Sequence, residues 1–433
     1  MENRGHRIRV RSDSYYYRIT MYRIHKSVIG KEFCCGCGVC AGVCPTHALS
    51  MQWNEAGEYH PYIVNECTEC GMCLHLCPFE NTNPNEDEIG TKLFSQITNI
   101  QHKSETGYYL SSYVGAVTSD TKRLQSASGG LATWFLKELL MKNIADAVIC
   151  VRKSIVPEKL YEFFIAETED DIDTSSGSAY YPTEMSGVVR EILETPKRYA
   201  VIGVPCFVKA LRLAQSKNKK LRDRIVCIAG LTCGKMKSTK FTEAVAKLSG
   251  LDEEISSVHF RTKSMARPAN QFAFAYTGVN GSETSIIWND GIGQIWSAKQ
   301  YNIPVCNFCD DIFAECADVT FMDAWLPEYT KDSRGTSLVI VRSEQANDVF
   351  KSGNDISIEP ISIEKVMASQ RGVIQNKREL LKIRLSKAGN VEQVPNKRVT
   401  PAHFNGTFIQ LKLIVKRYFR FGLALVSRII YQK

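Results

Sequence analysis

A twelve-residue cysteine pattern occurs twice within the first eighty residues of this 433-residue chain. Cys34, Cys37, Cys40 and Cys44 are followed by Pro45, and Cys67, Cys70, Cys73 and Cys77 by Pro78. Nine of the sixteen cysteines fall in this stretch. Three thiolates at two-residue gaps on a tight loop wrap one corner of an iron–sulfur cube. The fourth, three residues on and followed by Pro, is carried away by a short helix toward a neighbouring cluster. Zinc also uses CxxC pairs, but it takes four ligands as two pairs and has no use for a third step and a trailing Cys-Pro. Gly36, Gly38 and Gly71 relieve crowding and leave amide N–H groups free to donate to sulfur. Cys35 stands outside the pattern and reads as a bystander. A disulfide framework belongs to short secreted chains. Residues 1–31, with eight Lys/Arg, two acids and no continuous apolar stretch, do not read as a secretory leader. The expected compartment is the reducing cytoplasm.

Both boxes resemble those of bacterial two-cluster ferredoxins. That resemblance implies one 4Fe–4S cluster on Cys34, Cys37, Cys40 and Cys77, and a second on Cys67, Cys70, Cys73 and Cys44. Two such cubes side by side make a short one-electron wire.

A wire needs a terminus, and the chain is long enough for two or three domains. It reads as a basic N-terminal extension (1–31), a small α+β ferredoxin-like domain (32–82), a polar linker (83–110), an α/β domain (111–345) and a helical basic C-terminal region (346–433). Met21 is a second candidate start, so residues 1–20 are not required by the reading. Within 111–345, strand-like runs such as YAVIGVP and RIVCIAGL alternate with helical ones such as FVKALRLAQ and TKFTEAVAKL, the signature of a sheet with crossover helices. No apolar run reaches the roughly 18 residues that span a bilayer. The net charge of +8 lies at the ends: residues 370–433 hold fourteen Lys/Arg and two acids, which leaves the body acidic. An acidic body argues against nucleic-acid binding. From Phe408 to Lys433 there is no acid, and the basic amphipathic pattern suits either an anionic membrane surface or the protein's own acidic body. The expected location is therefore cytoplasmic, with peripheral contact at the inner face of the membrane as the alternative.

Four further cysteines stand where strands end: Cys206 in VIGVPCFVKALR, Cys233 in GLTCG, and Cys306 and Cys309 in VCNFCDD. Strand ends at one edge of a parallel sheet are where α/β proteins gather functional groups. These four thiols could hold a third cluster, or Cys206 and Cys233 could be buried small hydrophobes. Cys150 and Cys227, inside apolar strands, read as core. SASGG (126–130) precedes a helix, where backbone N–H groups can meet a phosphate or a serine can simply cap. Arg261, Thr262 and Lys263 suit either an anionic ligand or a solvated face. His259 is a possible proton donor or a structural histidine. There is no GxGxxG.

The boxes, SASGG, GVPCFVKAL (203–211), GLTCG, FRTK (260–263), CNFCDD (306–311) and ADVTFMDAW (317–325) occur in order over residues 32–345. Together they resemble the family of coenzyme F-420 hydrogenase/dehydrogenase beta subunits. The resemblance implies an FAD-binding α/β domain that exchanges hydride with deazaflavin F-420 or another conjugated substrate; some relatives are associated with surface-polysaccharide pathways. It places the FAD pyrophosphate at Ser126, Ser128, Gly129 and Gly130, and favours the third cluster on Cys206, Cys233, Cys306 and Cys309. Asp323 is a candidate contact to the flavin or its ribityl chain, as are Asp310 and Asp311, for which helix capping is an equal account. Two departures weaken F-420 itself as partner: Met322 replaces the usual Gly before Asp323, and Ala179 in GSAY replaces a Lys. The expected function is an iron–sulfur flavoprotein oxidoreductase fed by a one-electron donor such as ferredoxin. Its rival is a non-catalytic electron-transfer subunit that docks on a partner enzyme.

Overall fold

A computed structural model describes residues 23–156, 158–387 and 394–401. The expected tail helix from Phe408 and most of the N-terminal extension lie outside the described residues.

The two cysteine boxes form one small unit. Leu49–Trp53 (β1) and Tyr59–Ile63 (β2) pair antiparallel. Beside this hairpin stand two short helical turns, Val39–Gly42 and Met72–His75, each entered through a glycine at positive φ, Gly38 (78°) and Gly71 (74°). Left-handed backbone at these two positions is what only glycine supplies at little cost.

The polar segment 83–110 is folded, which corrects the expectation of a linker. Asn85 and Glu88 form a capping box that starts the helix Glu86–Phe94. The polar residues that suggest a linker are thus the helix's own start signal. A hairpin of Gln101–Lys103 (β3) and Gly107–Tyr109 (β4) follows.

The large sheet contains Ser111–Val117 (β5), Ala147–Lys153 (β6), Tyr161–Ala166 (β7), Tyr199–Gly203 (β8) and Ile225–Leu231 (β9). A separate three-stranded antiparallel sheet, Ile255–Thr262 (β10), Ala273–Gly278 (β11) and Glu283–Ile287 (β12), is inserted next. The chain then returns with Val319–Asp323 (β13), Ser337–Val341 (β14) and Ile356–Pro360 (β15). The eight-stranded order is β15-β5-β14-β13-β9-β8-β6-β7. Only the centre, β6-β8-β9-β13, is parallel; both flanks are antiparallel. The expected α/β alternation therefore describes the middle of the sheet alone. The region after residue 345 is not wholly helical, because β15 completes one edge of this sheet. Its alternate residues face the core, a period that a helical reading hides.

Both faces of the parallel centre are covered, which is why its strands are continuously apolar. Ala147, Ile149 and Val201 face one side; Val148, Cys150 and Ile202 face the other. Cys150 and Cys227 are core, as expected. The helices Leu131–Met141 and Glu344–Lys351 cover the second face. The helices Ser186–Glu194 and Pro205–Lys217 cover the first, and the box unit packs into the same apolar cluster through Phe33, Val39, Leu76 and Phe79. Fully buried side chains of this size each contribute about 2–3 kcal/mol. The contact is close: Met185 N–H donates to Cys37 O at 3.0 Å, and Thr239 N–H to Gly57 O at 2.9 Å. Among the described residues no helix is long and apolar enough to cross a membrane.

Candidate functional site

The short turns bring Cys34, Cys37, Cys40 and Cys77 to one small cavity in the box unit, together with Cys35 and Cys73. Gly36 N–H donates to Cys34 Sγ at 3.4 Å. Gly36 is needed there, since a Cβ would lie 2.9 Å from Tyr59 O. Burial pushes the Cys77 thiol up to about 12, with Cys37 adding repulsion, and Cys40 is raised by burial and by Cys37, Cys34 and Cys77. Cys34, Cys40 and Cys77, all raised by burial, are thus held neutral unless a metal takes their protons.

The second set is nearer the surface. Burial pushes Cys73 up to about 11, and its repelling neighbours are Cys67, Cys70 and Cys44. Backbone N–H groups again reach sulfur, from Glu69 to Cys67 at 3.4 Å and from Ala48 to Cys44 at 3.3 Å. Cys70 is exposed. Among the described residues no three donors close on a single-ion point, and a cube, whose ligands sit on separate irons, does not ask them to.

Cys206, Cys233, Cys306 and Cys309, far apart in sequence, come together at the C-terminal edge of the parallel strands. Cys206 opens the helix after β8, Cys233 follows β9, and Cys306 lies in the 3-10 turn Pro304–Phe308, with Cys309 just after it. Burial raises Cys233, whose thiol neighbours are Cys306, Cys206 and Cys309. Cys306 is pushed up to about 12 by burial and accepts the Met236 N–H at 3.3 Å. Two participants were not foreseen. The Lys377 ammonium lies 3.2 Å from Cys309 Sγ. Cys35, read as a bystander, is buried, its thiol raised by its neighbours Cys206 and Cys37, and it lines the cavity of the first set, so it stands between that set and this one. The doublet Cys34-Cys35 was the available signal for Cys35; nothing in the sequence pointed to Lys377.

Alongside lies a cavity of about 1890 Å³ whose wall includes both Cys35 and Cys233. Ser126, Ser128 and Gly130 line it, as do Ala132 and Thr133 at the start of the helix Leu131–Met141. That helix has Gly130 (φ 85°) as N-cap and no side-chain cap. Its first N–H groups thus face the cavity as an anion would need. The serines do not cap it: Ser126 Oγ donates to Lys122 O at 2.8 Å and Ser128 Oγ to Thr336 O at 2.6 Å. Gly129 lies behind the wall, where its N–H donates to Ser337 Oγ at 2.9 Å and a Cβ would strike Gly115 O at 2.6 Å.

Arg261, Lys263 and Asp323 all reach this wall, each already engaged. Asp323 holds Arg261 with two bonds of 2.7 Å. Arg261 lies in a bulge of β10 at φ 64°, its guanidinium 4.5 Å from the Phe272 ring centre and 5.0 Å from that of Trp325. Lys263 donates to the carbonyls of Arg123, Ser128 and Arg334 and so clamps the SASGG loop. His259, its pKa lowered by burial and by Lys153, lies 2.7 Å from the Lys153 ammonium. Lys237 is bonded to Trp296 O and Asn302 Oδ1, and burial lowers it to about 8. Asp310 and Asp311 are away from the cavity. Asp310 pairs with Lys397 and Arg398, and Asp311 accepts the Glu315 N–H.

Residues 33–81 match a 4Fe-4S dicluster domain. Residues 112–190 and 196–364 match the N-terminal and C-terminal parts of the coenzyme F-420 hydrogenase/dehydrogenase beta subunit. The chain is 24% identical over 330 residues to one subunit of the F(420)H(2) dehydrogenase of Methanosarcina mazei, covering 76% of this chain and 84% of that one. It is 22% identical over 341 residues to the coenzyme F-420-dependent sulfite reductase of Methanocaldococcus jannaschii, covering 74% of this chain but 46% of that one. A solved chain from the F-420-reducing nickel–iron hydrogenase complex of Methanosarcina barkeri shares the fold, with a TM-score of 0.51 and 17% identity over 67% of this chain and 96% of its own.

Proposed function

Because this chain belongs to the family of coenzyme F-420 hydrogenase/dehydrogenase beta subunits and carries a 4Fe–4S dicluster unit, we propose that it is an oxidoreductase passing electrons between iron–sulfur clusters and FAD. Cys34, Cys37, Cys40 and Cys77 hold the first cluster, Cys67, Cys70, Cys73 and Cys44 the second, and Cys206, Cys233, Cys306 and Cys309 a third. The reading is carried by one observation: the large cavity shares its wall with Cys233 of the third set and with Cys35, which touches the first. Electrons need no long gap between the exposed second set and the cavity.

The residues present fit FAD. An uncapped helix end and Gly130 accept a diphosphate, with Lys263 holding the loop in place and Lys237 adding positive charge to the wall. FAD, when bound, supplies two-electron hydride exchange on its organic side and single-electron exchange on its cluster side. The cavity is larger than the roughly 300–1,000 Å³ that one small ligand takes. That leaves room for a conjugated organic hydride acceptor or donor, F-420 or another, beside the cofactor. This favours an enzyme over a bare relay. Relatives that work as subunits of larger enzymes point to a companion protein as well, and a one-electron donor such as ferredoxin would meet the exposed Cys70 side.

Anaerobic purification with iron and flavin assays tests the reading. About twelve irons and one FAD per chain are expected for three cubes and a flavin. A colourless protein containing zinc and no flavin would overturn it.

A further inference from the structure

Lys377 lies in a π-helical turn, Gln375–Glu379, between the helices Arg371–Ile374 and Leu380–Lys387. Such turns occur frequently at functional sites. Here the turn buries two successive cations, Lys377 at 2% exposure and Arg378 at 9%. Arg378 meets a carboxylate, Glu315 Oε1, at 2.8 Å. Lys377 meets none: its Nζ donates to Asp311 O at 2.6 Å and lies 3.2 Å from Cys309 Sγ, and no ion pair is formed with Asp or Glu among the described residues. A lone ammonium this deep is poorly accommodated by neutral thiols. It is well accommodated by thiolates on a metal cluster, whose total charge is negative.

The unit that carries the other two sets is of opposite net sign, even with Arg23, Lys26 and Lys31 of the segment packed beside it. Residues 32–82 contain Glu32, Glu55, Glu58, Glu66, Glu69 and Glu80 and no Lys or Arg. Cluster potentials follow net charge, hydrogen bonds to sulfur and exposure. Burial of the third set opposes an added electron, and a cation in contact with its ligand sulfur favours one.

We propose that Lys377 is the fixed counter-charge of the centre held by Cys206, Cys233, Cys306 and Cys309, and raises that centre's affinity for an electron above that of the two N-terminal clusters. This rests on the third-cluster reading above. An electron arriving from a one-electron donor at the acidic unit then runs downhill to the cavity. Lys377 is a positioning charge here and touches no substrate.

The test is a redox titration of the anaerobic full-length protein, followed by electron paramagnetic resonance after iron has been counted. The wild type should hold about twelve irons and show the third centre with the highest midpoint. Lys377→Gln should lower that midpoint alone by at least tenfold in electron partition, about 59 mV, and Lys377→Arg should keep it near the wild-type value. About eight irons in the wild type would sink the third cluster itself. Full iron with an unmoved midpoint in Lys377→Gln would overturn the role of Lys377 alone. If Lys377→Gln fails to hold iron, the wild-type order still decides: a third centre whose midpoint is not the highest of the three overturns the proposal.

Discussion

Replacing Asp323 by alanine tests whether this residue serves the cavity or the protein beneath it. Its carboxylate makes both 2.7 Å bonds to Arg261, whose side chain is 6% exposed. Removing one member of a buried pair leaves the other charge unmatched and costs about 3–5 kcal/mol. Asp323 is 21% exposed, so water reaches part of the gap and the lower end, about 3 kcal/mol, applies. At about 2 °C per kcal/mol for a cooperative unit of this size, thermal unfolding should fall by about 6 °C. Asp323→Asn keeps one neutral acceptor and should lose about half of that. The measurement is a melting curve of flavin-free protein. Unchanged melting of Asp323→Ala together with lost flavin affinity would refute the argument, because Asp323 would then act on the ligand and not through Arg261.

Cys73→Ala should remove one cluster's worth of iron, about four atoms, while bound FAD remains; loss of both would make the two parts one folding unit. Gly38→Ala places a Cβ 2.3 Å from Glu184 Oε2 and 2.9 Å from Ser186 N, at φ 78°. It should destabilise docking of the box unit by at least about 1–2 kcal/mol, visible as a lower melting temperature. Lys237 is lowered by burial to about 8. Between that pH and the ordinary lysine value of 10.5 the unfolded chain binds a proton that the folded one lacks. Stability should therefore rise with pH across this window. Lys237→Met should flatten the rise, and an equal slope in both proteins would contradict it.

Much of the site was legible because its signal is local. Ligand spacing within each box is settled over a dozen residues, and Gly38 and Gly71 have the backbone that such loops need. The edges of the α/β domain were less legible. β15 lies beyond a run read as helical and joins β5, which precedes it by more than two hundred residues, so nothing nearby marks it as a strand. The segment 83–110 resembles a linker because capping residues and linker residues share a composition. Asp323 was found as a wall residue, while its bond to Arg261 depends on a bulge in β10 that brings the two elements together.

Sequence alone determined that eight cysteines lie at spacings fit for two cubes and that an α/β domain follows, since thiolate spacing and apolar periodicity are properties of short runs of chain. Only the folded chain decided that Cys206, Cys233, Cys306 and Cys309 converge, that Cys35 bridges toward them, and that Lys377 arrives beside Cys309. These meetings depend on which strand ends share an edge and on how one π-helical turn aims a side chain. Long-range packing selects both, and no short stretch of residues encodes either.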